Sequence, residues 1–343
     1  MTDGPSGPAL DHVRSILRLA VEHPPGKGAL VLFDRESPLA ARLASAYREA
    51  LPGAPAIEVP AAPRDETDAA IGRLVPGDLV VLVESDRFFP EEHRFRVKLF
   101  DRGLAVVEHP HLARIAGDET PAYVDALAYD PAYYRTVGPA LKSRIDRASE
   151  IRVIGGGAEL VYASPFEEAK LNVGDFRGAR SVGGQFPIGE VFTEPQDLSA
   201  VDGDALLFAF GDSDFRVAVP ERPFRVRIER GLVAAAPGAP AGFEAVLDAI
   251  RKEEEVVRVR ELGLGLNRAF TRSRRVSDVG TYERMSGVHL SLGSKHAIYA
   301  KPGIAKRRAK FHVDVFAAAD RVVIDGVDVF DGSSFFVPGS APA

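Results

Sequence analysis

Asp78-Leu79-Val80-Val81-Leu82-Val83 is apolar at every position after its aspartate. A strand with one wet face would show a polar residue at every second position. This one shows none, so both of its faces must be covered. Ala29-Leu30-Val31-Leu32-Phe33, Ala56-Ile57-Glu58-Val59 and Leu104-Ala105-Val106-Val107-Glu108 read as companion strands. Between them the apolar spacing turns helical. Val13, Ile16, Leu17 and Ala20 precede the first strand, Leu39, Ala40 and Leu43 follow it, and a further helix lies near Asp65–Leu74. Leu51-Pro52-Gly53 stops the second helix. Strands alternating with helices predict a doubly wound, mostly parallel α/β domain over residues 1–150.

From residue 151 the pattern changes. Ile151–Ile154, Glu159–Tyr162, Glu190–Thr193, Ala205–Phe210 and Phe224–Ile228 are strand candidates, mostly joined by short turns bearing Gly or Pro. Arg230-Gly231 reads as a hairpin turn. One helix is expected from about Gly242 to Val259, with Phe243, Val246, Leu247, Ile250 and Val257 on one face. This half, residues 151–343, is expected to be α+β and mostly antiparallel.

The 343 residues suffice for two such domains. With 45% hydrophobic residues the composition is that of a globular chain. There is no run of 18 apolar residues and no basic, then apolar, start, so neither a membrane span nor a signal peptide is expected. The chain has no cysteine, which excludes disulfides, thiolate nucleophiles and sulfur-ligated metals, and a cytoplasmic location fits. A net charge of −6 argues against a nucleic-acid partner. Any metal must be held by His, Asp and Glu.

Phe311-His312-Val313-Asp314-Val315 supplies such a pair. On a strand, residues two apart share a face, so His312 and Asp314 point together. An imidazole beside a carboxylate suits a divalent cation, although a solvated polar face gives the same pattern. In Gly287-Val288-His289-Leu290-Ser291, His289 and Ser291 share a strand face, and a second strand could bring His289 beside His312. Glu261 heads Glu261-Leu262-Gly263-Leu264-Gly265-Leu266-Asn267, where it follows a helix that the glycines prevent from continuing. Glu190 opens an otherwise apolar strand, and Glu283 precedes His289 by six residues. Taken singly, each glutamate reads as a surface charge. His109-Pro110-His111 reads as a turn, with reach toward a substrate as the functional alternative. The five basic residues from Lys301 to Lys310 read as a solvated loop, or else as a patch for a carboxylate-bearing substrate.

Gly189-Glu190-Val191-Phe192-Thr193, Glu261 through Asn267, Glu283 with Gly287-Val288-His289-Leu290, and His312-Val313-Asp314 resemble, in order and approximate spacing, the motifs of the M29 metallo-aminopeptidases. The resemblance covers about residues 150–320. It implies that Glu190, Glu261, His289, His312 and Asp314 hold two divalent ions (Zn, Co or Mn), that Glu283 does acid/base work, and that the chain acts on peptides as a homodimer. Three carboxylates and two imidazoles suit two cations, which together can activate one water. The chain departs from the family at Gln185-Phe186-Pro187, at Asn267-Arg268 and at His296, which stands where the family has a tyrosine. His296 could replace that tyrosine as a hydrogen-bond donor to an oxyanion. The chain is also shorter than typical members before residue 150. Two alternatives stand beside the aminopeptidase: an iron-dependent dioxygenase on the same scaffold, which would need two histidines and one carboxylate, and a retired relative that binds a peptide or protein.

Overall fold

The computed structural model describes residues 7–59, 61–89, 95–296, 298–305 and 309–338. The chain forms two compact units. One is Met1–Tyr134 with Gly174–Ile188; the other is Arg135–Val173 with Gly189–Ala343. Along the chain the first changeover between them lies between Tyr134 and Arg135. The helix Pro131–Ile145 carries the chain across it, so no change of composition marks the place.

The first unit is built on a five-stranded, wholly parallel sheet. Its spatial order is Ala56–Glu58, Ala29–Phe33, Leu79–Val83, Ala105–His109 and Gly183–Gln185. The four expected strands are present. The fifth explains why residues 174–188 return to this unit. Leu79–Val83 is buried along its whole length, as its unbroken apolar run requires. Leu30, Leu32, Val80, Leu82 and Val106 pack on one side with Ile71 and Leu99. Ser37 caps the helix Pro38–Ala50 by accepting a hydrogen bond from the Ala40 N–H at 3.1 Å.

His109 ends its strand fully buried and does not reach toward solvent. Tyr123 donates its hydroxyl proton to the Phe186 carbonyl at 3.1 Å. His109 Nδ1 therefore donates to Tyr123 Oη at 3.0 Å, and Nε2 accepts from the Tyr47 hydroxyl at 2.7 Å. Burial pushes the imidazole down to about 3. This is a neutral, satisfied packing residue.

Glu84, at the end of a neighbouring parallel strand, behaves in the opposite sense. Burial and the like charge of Glu108 push its carboxyl up to about 8. The protonated form is favoured in the folded protein, so its contribution is complete below the unfolded value and is lost as pH rises toward 8. Glu84→Gln should remove that dependence. Between pH 5 and pH 7 the wild-type first unit should lose about 2–3 kcal/mol from this group, and the variant should not. Urea melts at both pH values check it. Parallel losses in the two proteins would exclude the assignment.

The second unit is one thirteen-stranded antiparallel sheet. The expected strands of this half are present, and Arg230-Gly231 is a hairpin turn between Phe224–Glu229 and Leu232–Ala235. The helix Ala241–Glu254 buries Phe243, Val246, Leu247 and Ile250. It stops earlier than expected, where Glu255 adopts a left-handed φ of 68°. The chain then enters a strand, Val259–Gly265. Among the described residues, no helix is long and apolar enough to cross a membrane.

Candidate metal centre

Four neighbouring antiparallel strands carry the site. In spatial order they are Val313–Ala317, Gly287–Leu292, Val259–Gly265 and Glu190–Thr193. The register sets one row as Phe316, His289, Gly263 and Phe192. Residues two along from any of these share its face. Glu190, Ser291 and Asp314 therefore lie on the same face as His289.

Glycine makes that face usable. A Cβ on Gly263 would sit 2.0 Å from His289 Cε1 and Nε2. The imidazole lies flat over the neighbouring strand, in space that any other residue would fill. One on Gly265 would meet the Met285 carbonyl oxygen at 1.9 Å. The glycines that read as a helix stop lie within a central strand, and Glu261 is carried by that strand and not by a loop after a helix. A bulge between Val259 and Leu262 sets its position, and its N–H donates to Ser291 Oγ at 3.0 Å.

The resulting donors converge. Glu190, Glu261 and His289 form one group whose ligand atoms lie within 4.8 Å of one another; Glu261, His312 and Asp314 form a second; Glu283, His289 and Asp314 form a third. All six carboxylates and imidazoles named from the sequence motifs thus belong to one cluster. Glu190, Glu261, His289 and Asp314 are buried, while His312 retains 31% side-chain exposure.

Two observations fit this cluster to cations. His289 Nε2 lies 3.3 Å from Glu190 Oε1 and 3.4 Å from Glu261 Oε1, yet neither approach has hydrogen-bond geometry, and Nε2 and Asp314 Oδ1 are buried without a hydrogen-bond partner. Buried polar atoms without a partner call for one, and a cation would supply it. The second observation is a fixed tautomer. A carbonyl can only accept, so His312 Nδ1 donates to Lys295 O at 3.2 Å, leaving the Nε2 lone pair to face the cluster, 3.1 Å from Asp314 Oδ1.

The electrostatics agree. Burial alone would lower His289, but Glu190 and Glu261 raise it to about 10. Burial also acts downward on His312, and Asp314 outweighs it, raising the imidazole to about 9. Burial would raise Glu261, but His289 and His296 hold it well below the usual carboxylate range. Without a cation, protons on imidazole supply the positive charge that these carboxylates demand.

His296 is not in any of the three donor groups. Its Nδ1 takes the N–H groups of Ile298 and Tyr299 at 3.3 and 3.4 Å. Nε2 therefore donates, and its partner is Glu261 Oε2 at 2.6 Å. The ring stacks on Tyr299, with centroids 5.2 Å apart. The geometry commits this donor to orienting Glu261; the expected donation to an oxyanion would require it to leave that carboxylate.

Three charged residues escaped the sequence reading. Glu194 is 0% exposed, and its Oε2 accepts from Arg260 Nη2 at 2.8 Å. Arg260 precedes Glu261 and is 3% exposed. Arg284, also buried, ion-pairs with Glu283 and lies 3.7 Å from Glu190 Oε2. Only Arg260-Glu261, two charges inside an apolar strand, gave a signal. Lys301 corrects the loop reading: it is 3% exposed and its ammonium meets Glu167 Oε1 at 2.6 Å. Lys310 is exposed and pairs with Glu253. Lys306, Arg307 and Arg308 lie outside the described residues.

No protein-family model matches the chain, and no curated protein does. Solved structures do. The 2,5-dihydroxypyridine dioxygenase from Pseudomonas putida KT2440 is similar at a TM-score of 0.64 and 15% identity, over 98% of this chain and 99% of that one. Wild-type AmpT from Thermus thermophilus is similar at a TM-score of 0.57 and 15% identity, over 96% of this chain and 99% of that one. At this identity the likeness shows the fold alone, and that fold is the one implied by the resemblance of the motifs to the M29 aminopeptidases.

Proposed function

We propose that the chain is a two-metal hydrolase that releases N-terminal residues from peptides. The observation that carries this reading is the sharing of Glu261. It belongs both to the group with Glu190 and His289 and to the group with His312 and Asp314. Two adjacent three-donor groups with a common carboxylate would hold two neighbouring cations. Their chemistry, mostly oxygen with one imidazole each, suits Zn, Co or Mn. A mononuclear iron site would want two histidines and a carboxylate, and among the described residues no donor group contains two histidines.

Two bound divalent ions would lower the pKa of a shared water and polarise the scissile carbonyl. The chain's own residues supply the rest. Glu283 is within reach of His289 and Asp314 and keeps 18% of its side chain open to solvent. It can take a proton from the attacking water and deliver it to the leaving amine. Its pairing with Arg284 fixes where its carboxylate stands. His296 holds Glu261 by one oxygen, which limits the orientations this carboxylate can take.

The test is metal analysis of the purified protein, re-metallation with Zn, Co or Mn, and assay on aminoacyl anilides. The reading expects about two ions per chain and amine release that chelation abolishes. One iron per chain with oxygen consumption on dihydroxypyridine rings would instead place it with the dioxygenase. Failure to retain any added metal would leave a retired, peptide-binding relative.

A further inference from the structure

The two groups that share Glu261 do not have the same electrostatic surroundings. Among the described residues, the ion pairs of Glu261 and Asp314 are with imidazoles alone: His289 and His296 for Glu261, and His312 for Asp314. An imidazole nitrogen can offer a lone pair to a cation. The other end of the cluster faces a guanidinium, which has no acceptor atom to offer. Arg284 Nη2 lies 3.7 Å from Glu190 Oε2, and the same guanidinium pairs with Glu283. Its Nη1 also donates to the Gly280 carbonyl at 2.9 Å, which ties it to the turn of the short helix Val279–Tyr282. The side chain is only 7% exposed, so water screens it little. Guanidinium keeps its proton at any pH a protein survives.

A divalent ion held by Glu190 and His289 must therefore share Glu190 with a fixed, buried positive charge. An ion held by Glu261, His312 and Asp314 need not. We propose that the two cation positions are unequal by construction, with the His312–Asp314 position tight and the Glu190–His289 position weak and exchangeable because of Arg284. This rests on the two-metal reading and adds to it an order of filling. At limiting metal the chain would hold one ion, on His312 and Asp314. The second would come and go with the free metal concentration, so the number of ions found would depend on the metal supplied.

Co2+ titrated into chelator-treated protein, followed by equilibrium dialysis and by the visible absorption of the bound ion, tests the proposal. Wild type should show two classes whose affinities differ by at least tenfold. Arg284→Met keeps the bulk and removes the charge. It should tighten the weak class by tenfold or more and leave the tight class unchanged. Should that variant not fold, Glu190→Gln and His312→Asn decide by themselves: the first should abolish the weak class and the second the tight one. Two equal classes, a weak class that Arg284→Met leaves alone or loosens, or the reverse assignment of the two ligand variants would overturn the inference. Uptake of fewer than two ions at saturating Co2+ would fail the two-metal reading itself and this inference with it, and is distinct from two ions bound equally.

Discussion

Glu261→Gln should strip both ions from a protein that otherwise stays folded. Under metal concentrations that fill the wild type, the variant should retain well under one ion per chain and lose amine release from aminoacyl anilides. Glutamine has the same size and reach but replaces a charged oxygen by an NH2 group, which repels a cation and cannot coordinate it. Loss of a residue that only supports a ligand typically costs 10–100-fold in metal affinity. Loss of a ligand common to two positions should exceed that at each of them, by on the order of 10³-fold in total. The comparison is with His312→Asn and Glu190→Gln. His312 belongs only to the group with Glu261 and Asp314, and Glu190 only to the group with Glu261 and His289. Each of those changes should empty one position and spare the other. Metal content measured on all three variants after identical dialysis decides the matter. If Glu261→Gln retains one tightly held ion, Glu261 is not shared and the bridged arrangement is wrong.

The same residue shows what sequence can and cannot convey. The motif around Glu261 was legible, but its place in the fold was not. Val257 continues the apolar spacing of the helix, and two glycines follow, which reads as a helix running out. The chain instead turns at Glu255 and enters a central strand, where Gly263 is small because His289 lies across it. No local pattern announces that contact, since it joins residues on neighbouring strands. The fifth parallel strand was hidden for a similar reason. Gly183-Gly184-Gln185 has no apolar side chain, and its partner, Ala105–His109, lies far earlier in the chain. By contrast, Leu79–Val83 could only be a strand covered on both sides, and it is.

The charged residues divide in the same way. Glu190, His289, His312 and Asp314 stood out because each interrupts an apolar strand or shares one face with another donor. Glu194 and Arg284 drew no reading and Lys301 read as part of a solvated loop, because single-sequence reasoning has no means of telling a buried charge from an exposed one. Only the tertiary structure shows that Lys301 and Glu194 are both withdrawn from water, 3.8 Å apart. Metal ligands announce themselves by residue type and spacing. The residues that hold those ligands in place do so through packing, which spacing does not record.

Arg260→Met should be among the most destabilising single changes in the second unit, by about 3–5 kcal/mol. The methionine fills much of the same space, so the loss is not mainly one of packing. It arises because Arg260 gives Glu194 its charge-assisted hydrogen bond at 2.8 Å and also donates to the carbonyls of Ser294 and Tyr299 at 2.5 and 3.1 Å. With Arg260 gone, the nearest cation left to this fully buried carboxylate among the described residues is Lys301, at 3.8 Å. Burying a charge without a close partner is what makes such deletions costly, while removing both partners of a pair often is not. Glu194→Leu in the same chain should therefore recover much of the stability that Arg260→Met loses, and the double variant should lie closer to wild type than either single change predicts. Urea melts of the four proteins, followed by a probe in the second unit, give the coupling directly. Additive losses would mean that Arg260 and Glu194 do not act as a pair. Recovery of stability without recovery of metal binding would show that the pair also holds His296, and through it Glu261, in the orientation the cations need.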